Sequence, residues 1–415
     1  MNISFNNMDF VDLNGVDCDY VDFNGSIVWK KFNEITYEGE VPTEIKADGN
    51  DLINYQIYGN TVHSKSAEPT PDNPVDVIGV GDKTENLIPM EDDKSFTLNG
   101  VTITCRNGRI WLTGNPTGEV LNSDNPIFMQ NFSFTVSAGT YNFIVKSNTD
   151  RLNLDIFRYD SDNDTYIQHL DARDTGIYTF TVDQDNAVLF LKIYYRPGAY
   201  QITHTSPLEV MVCRKEIIEY EPYGYKIPII SAGQTNNIYL SEPLHKIGDY
   251  SDYIDFNTQT ISRQIKKLIF TGEESWLEDT DNTNQYVCRL DNVIQDAMMV
   301  SGKGIYACNY FVYAYTYPSD LFDRIVLYES QDYNIISMSF NKTRGITTVD
   351  EFKAFLNDKY TNKNPVTIWY VLTEPTEEQI ELSSIPTNKY PILTTFNVGT
   401  EIQPSKVLLD YKGKS

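Results

Sequence analysis

The chain is poor in the residues that carry covalent and acid–base chemistry. Only four histidines occur in 415 residues, His63, His169, His204 and His245, and none is near another in sequence. No His-Glu-x-x-His pair, nucleophile elbow or phosphate-cradling glycine loop is present, so the common metallohydrolase, serine-hydrolase and nucleotide-binding motifs are missing. The five cysteines (Cys18, Cys105, Cys213, Cys288 and Cys308) form an odd, scattered set. Without a close pair they suggest neither a zinc ribbon nor a disulfide framework, and they read as reduced, mostly buried thiols. Basic residues are also scarce: 33 Lys and Arg stand against 58 Asp and Glu, a net charge of −25. Such a chain has no basic patch able to displace counterions from a phosphate backbone, which argues against nucleic acid and against anionic membranes as partners. No apolar run approaches the roughly 18–20 residues needed to cross a bilayer. The first residues, Met1 to Asn7, lack a basic and then apolar leader, so synthesis in a cytoplasm is expected.

Acidic residues are abundant, but they are uninformative about catalysis. A glycosidase needs two opposed carboxylates, and among 58 acids some pair always exists. No catalytic residue and no cofactor is expected from the sequence.

What the chain does have is aromatic and strand-favouring: 29 Tyr, 20 Phe, much Asn and Thr, and little Ala. Its length, at roughly 100–200 residues per domain, implies two to four modules. The first is a repeat. Asp9-Phe10-Val11-Asp12-Leu13-Asn14-Gly15 returns ten residues later as Asp19-Tyr20-Val21-Asp22-Phe23-Asn24-Gly25. Each Asn-Gly suits a type I′ turn, where both central residues need positive φ, so residues 1–33 are expected to form short hairpins with Phe10 and Tyr20 on one side. So small a ladder needs a surface to pack on. That surface is either another protein, which makes the segment an attachment element, or the neighbouring domain. Residues 34–85 carry short strands and then a strap, Glu68-Pro69-Thr70-Pro71-Asp72-Asn73-Pro74, whose prolines impose extended backbone and suggest a stiff spacer.

From Asn86 to Gly224 the period-two alternation is clear. Val101–Thr104 and Arg109–Leu112 flank an Asn107-Gly108 turn, and strands are predicted at 132–136, 141–145, 151–159, 177–182, 187–195 and 207–214. About eight strands at this spacing predict a jelly-roll-like β-sandwich. Residues 225–415 form a C-terminal β-rich module with one exception: Thr348-Val349-Asp350-Glu351 is a capping box, and Phe352, Phe355 and Leu356 place a short amphipathic helix at 349–360. Val366–Leu372, almost wholly apolar, is predicted to be a buried central strand. The fold class is therefore all-β and multidomain.

Two surface candidates emerge. In 152–159 and 187–195, Leu152, Leu154, Ile156, Leu189, Leu191 and Ile193 share one side. Asn153, Asp155, Phe157, Lys192 and Tyr194 fall on the other. Aromatic planes beside amide, carboxylate and ammonium groups suit sugars, whose C–H faces stack on rings while their hydroxyls take planar polar partners; the same residues would also suit an inter-subunit or solvated face. The second candidate is Asp160-Ser161-Asp162-Asn163-Asp164, which alternates acids as a calcium loop does. Thr165, standing where an EF-hand turn requires Gly, and the lack of flanking helices favour a polar hairpin tip, and a calcium ion near Asp160, Asp162 and Asp164 is left open.

Several of these phrases resemble one family. Asn86-Leu87-Ile88, Ala138-Gly139-Thr140-Tyr141 and Tyr220-Glu221-Pro222-Tyr223 resemble the carbohydrate-binding-module-like sandwich of tail proteins from phages and prophages of Gram-positive bacteria. The strap Glu68–Val75 is similar to the segment that precedes it there. Leu244–Tyr250, Tyr253–Phe256, Arg263, Gly272–Trp276, Val371–Pro375 and Gln403-Pro404-Ser405 resemble the module that follows. The resemblance covers most of residues 50–410. It implies a virion tail or baseplate protein, a fibre or receptor-binding component that contacts other tail proteins through its N-terminal segment and host-surface polysaccharide elsewhere. It also implies a symmetric homo-oligomer, with a trimer favoured, although no heptad stalk specifies the number. The family supplies no fixed sugar-binding residues to carry over. A purely structural tail or capsid-surface component without ligand, and a glycan depolymerase, remain as alternatives.

Overall fold

A computed structural model describes the backbone over residues 11–412, apart from short breaks and the segments 39–44, 116–131, 195–201, 280–284, 314–322 and 381–393. Side chains are described from Tyr55 onward, outside the same segments and the strand ends beside them. The chain is all-β, with many sheets and, among the described residues, one α-helix. It divides into two compact units, one of residues 81–227 with 237–242 and one of residues 1–80, 228–236 and 243–415.

The first unit is a sandwich around a single core. One layer is a sheet in the order Ser133–Val136, Ala187–Tyr194, Asn153–Asp160, Thr165–Ala172. The other contains two sheets, Ser95–Leu98 with Val101–Arg106, Arg109–Gly114 and Ile202–Thr203, and Gly176–Val182 with Gly139–Ser147 and Glu209–Arg214. A bridge from Ile110 to Leu208 joins these two sheets. Alternation sends Ile103, Leu112, Phe143, Leu154, Leu191 and Val212 into the shared core. The Asn107-Gly108 hairpin forms as expected: Arg106 pairs with Arg109, and Asn107 and Gly108 both have positive φ, 51° and 64°. The Ala138-Gly139 turn does something different. The strands on either side of it belong to different sheets, so it carries the chain across the sandwich rather than closing a hairpin.

In the second unit the N-terminal repeat forms two hairpins. Val11–Leu13 pairs with Val16–Cys18, and Tyr20–Phe23 pairs with Ser26–Lys30. The Asn-Gly turns themselves and the side chains of residues 1–33 lie outside the described residues. Two further N-terminal strands enter a seven-stranded antiparallel sheet in the order Tyr306–Cys308, Thr367–Gln379, Thr260–Ile269, Tyr253–Asp255, Asp51–Tyr58, Lys406–Lys412, Asn33–Glu38. Asn33–Glu38 and Asp51–Tyr58 are thus part of the same sheet as the C-terminal strands, not a separate preface. Strand pairing satisfies edge N–H and C=O groups at any sequence distance, which consecutive modules along a sequence do not reveal.

Val366–Leu372 is buried, and its strand lies between two others as predicted. A bulge opposite Arg263 and Ile265 absorbs Pro375, which has no N–H to give to the ladder. Ile368, Tyr370 and Leu372 face a second sheet that contributes Cys288, Ile336, Met338 and Phe340. The helix Val349–Thr361 closes this core with Phe352 and Leu356, and its capping box is complete: Thr348 Oγ1 accepts from Glu351 N while the Glu351 carboxylate accepts from Thr348 N. Phe352 meets Trp276 edge-on at 4.8 Å between ring centroids.

The proline strap is docked within this unit and is not a free spacer. Arg344 binds Asp323 through two nitrogens and reaches Asp72 at 2.7 Å, while Val75 N donates to Asn309 O. Cys105, Cys213, Cys288 and Cys308 are free and buried; the side chain of Cys18 lies outside the described residues.

Candidate functional site

The strands Asn153–Asp160 and Ala187–Tyr194 run side by side, and their register sets Asn153 opposite Tyr194, Asp155 opposite Lys192, and Phe157 opposite Phe190. Leu154, Ile156, Leu189, Leu191 and Ile193 fill the core from the other side of the sheet. The predicted cluster is therefore brought together. Phe157 stacks on Phe190 with centroids 6.0 Å apart, and the Lys192 ammonium lies 5.0 Å from the Phe157 ring centre.

Its exposure has to be corrected. Asp155 is 4% exposed, Phe157 9% and Lys192 4%. Asn153 is half-buried, and the side chain of Tyr194 lies outside the described residues. Alternation fixes the side of a sheet on which a residue falls, but not whether that side is covered. In this setting Lys192 is compensated by a carboxylate directly across the ladder and by an aromatic face, as a buried ammonium must be. Asp155, Phe157 and Lys192 thus offer no open platform.

Of the acidic tip, residues 161–164 lie outside the described residues. Among the described residues, no three His, Cys, Asp or Glu side chains are grouped to hold a metal ion. Asp171, at the twelfth position of that candidate loop, sits opposite Asp155 and is paired with Arg173 at 3.5 Å.

The phrases that mark the resemblance have long-range structural tasks. Asn86 is buried, and its amide donates to Val210 O and Glu221 O and accepts from Ile88 N and Val212 N. The Glu221 carboxylate accepts from Glu85 N at 2.9 Å and pairs with Lys226 at 2.6 Å. Asn86-Leu87-Ile88 and Tyr220-Glu221-Pro222-Tyr223 are thus two halves of one clasp at the neck of the sandwich. Gly108 lies so close to Tyr223 that a Cβ would sit 1.9 Å from its carbonyl oxygen.

In the other unit, Leu244–Phe256 wraps around a buried polar hub. Asp252 accepts from the backbone N–H groups of His245, Gln264 and Ile265 and lies 3.6 Å from Arg263. Burial raises the Asp252 pKa, against the pull of Arg263 and those three donors. Burial pushes His245 down to about 3, with Arg263 and Lys267 acting in the same direction, so its ring is neutral at ordinary pH. Its Nδ1 lies 3.3 Å from Thr61 Oγ1 and its ring 5.8 Å from that of Trp369. Glu274 of Gly272–Trp276 accepts from Thr271 N, Gly272 N and Trp276 Nε1. Burial alone would raise its pKa, but these hydrogen bonds outweigh it and hold the carboxyl below its usual range.

The chain matches no known protein family, and no curated protein or solved structure is significantly similar to it. One face was not drawn from the sequence, although its signal was there: the alternation that buries Val101, Ile103, Ile110 and Leu112 also turns Thr102, Thr104 and Trp111 outward.

Proposed function

We propose that the protein is a phage tail or baseplate component of the fibre or receptor-binding type. Its N-terminal hairpins dock it to other tail proteins, and its jelly-roll-like sandwich binds host-surface polysaccharide without catalysing its cleavage. One observation supports the reading: residues of the phrases that resemble tail proteins, Asn86 and Glu221 in the sandwich and His245 and Arg263 in the other unit, hold buried polar contacts. Asn86 with Glu221, and His245 with Thr61, each join segments far apart in the sequence. In a symmetric homo-oligomer, a trimer being the favoured form, several weak sugar sites on one particle would give firm attachment.

The test is to incubate the labelled full-length protein with intact Gram-positive cells and with isolated wall polysaccharide. Saturable binding competed by one polysaccharide is the expected result, with no new reducing ends appearing in the polymer. Folded, oligomeric protein that binds nothing across a broad panel would instead identify a structural part of the particle. Release of reducing ends would identify a depolymerase.

A further inference from the structure

The three strands Ser95–Leu98, Val101–Arg106 and Arg109–Gly114 form a regular antiparallel sheet whose inner side fills the sandwich core. The register arranges its outer side as a grid. One row is Ser95, Thr104 and Trp111, and the next is Thr97, Thr102 and Thr113. Neighbours within a row are about 4.8 Å apart and the rows about 6.8 Å apart, from the strand spacing and two residues of rise. Ser95, Thr97 and Thr113 are exposed, and Thr102, Thr104 and Trp111 are half-buried. This face is partly exposed where Asp155, Phe157 and Lys192 are buried.

Five hydroxyls around an indole make an unusual sheet surface. Ser95 and Thr104 hydrogen-bond at 3.2 Å, and Thr97 and Thr102 at 2.9 Å. Each pair uses one proton and one lone pair, so a further O–H donor and several lone pairs remain in every pair. The Trp111 Nε1 is shielded from water and meets no acceptor. Contact with a ligand therefore falls to the exposed part of the indole ring. Beyond the first row stand Arg106, exposed, and Arg109, which is paired with Glu209 at 3.0 Å.

We propose that this outer face, centred on Trp111, is the saccharide-binding surface of the sandwich and that its ligand is an uncharged polysaccharide; the inference rests on the glycan-binding reading above. The indole supplies a stacking plane, the threonine rows supply donors and acceptors at fixed spacing, and Arg106 donates to neighbouring hydroxyls. The ligand's neutrality follows from charge. One exposed guanidinium cannot offset the repulsion that a chain of net charge −25 exerts on a polyphosphate or polyuronate.

The test uses the full-length protein and two polymers, the neutral hexose- and rhamnose-containing fraction of Gram-positive cell walls and polyglycerol phosphate. Wild type should bind the neutral fraction and ignore the polyphosphate. Trp111→Ala should lose at least tenfold in affinity, and the double variant Thr102→Val, Thr104→Val several-fold, with unchanged melting curves. Trp111→Phe, which keeps a ring but no N–H, should fall between and guards against misfolding of the alanine variant. Neutral-polymer binding kept within twofold by all these variants would move the site elsewhere while leaving a glycan-binding protein. Preference for polyglycerol phosphate would overturn the ligand class. Variants that alter the sedimentation coefficient but not polymer binding would make the face a subunit interface. No binding of either polymer by wild type would remove both readings.

Discussion

Replacing Asn86 with Ala should open the sandwich without disturbing the other unit. The amide has four partners: it donates to Val210 O at 3.0 Å and Glu221 O at 3.3 Å and accepts from Ile88 N at 3.1 Å and Val212 N at 3.3 Å. A lost hydrogen bond costs about 0.5–1.5 kcal/mol, and a buried polar group left unsatisfied about 1–3 kcal/mol. Two of the bonds are long, so the sum is taken as about 3–5 kcal/mol. At about 1.4 kcal/mol per tenfold, that corresponds to roughly 10²- to 4 × 10³-fold in the opening equilibrium. A single melting temperature would blur two units, so the assay is peptide-resolved hydrogen exchange of the native full-length protein. Peptides from Gly139–Ser147 and Glu209–Arg214 should exchange faster by that factor, and peptides from Tyr333–Asn341 and Thr367–Leu372 should stay within twofold. A change under threefold in the sandwich, or an equal change everywhere, would refute the assignment of Asn86 as its clasp.

Gly108→Ala should cost about 2–4 kcal/mol, the range for a clash at a constrained backbone position, because φ is +64° and the new methyl would meet Tyr223 O; thermal unfolding followed by circular dichroism would register it as a lowered first transition. His245, whose folded pKa is depressed to about 3 against an ordinary 6.5, binds its proton more readily when unfolded, so its contribution to stability is complete above about pH 6.5 and fades as pH falls toward 3. The full effect is of order 4–5 kcal/mol at about 1.4 per pH unit; denaturant midpoints at pH 7.5 and 4.5 should therefore differ more in wild type than in His245→Gln, and equal differences would count against the hub. Arg344→Ala should release the strap and raise its cleavage by a nonspecific protease, whereas Asp72→Asn, at the exposed end of the same pair, should cost less than about 1 kcal/mol.

Local chemistry was legible in the sequence wherever one short stretch suffices to specify it. The Asn107-Gly108 hairpin, the Thr348–Glu351 capping box and the buried strand at Val366–Leu372 are all set by neighbours within a few residues. The entry of Asn33–Glu38 and Asp51–Tyr58 into a sheet with Lys406–Lys412 was not legible, because pairing across some 350 residues leaves no local mark. Nor did the turn at Ala138-Gly139 show whether it closes a hairpin or crosses between layers, since both need the same backbone freedom. For the candidate site, alternation placed Asp155, Phe157 and Lys192 correctly on one side and grouped them, but it carries no information about cover, and these residues are buried. The same alternation in Thr102, Thr104 and Trp111 produces a face that stays half-exposed.

The neck of the sandwich has a further consequence. Asp82 and Lys83 lie beside Lys226 and Tyr225 in antiparallel register, and Thr84 N donates to Gly224 O at 3.0 Å. The chain therefore leaves and rejoins its host at two points about one strand spacing, roughly 4.8 Å, apart. A segment with adjacent ends can be cut out and replaced by another with adjacent ends at little topological cost to the remainder. Recombination near Gly81 and Ile227 would exchange residues 81–227, all of that compact unit except Asn237–Glu242, in a single event while keeping the rest of the chain.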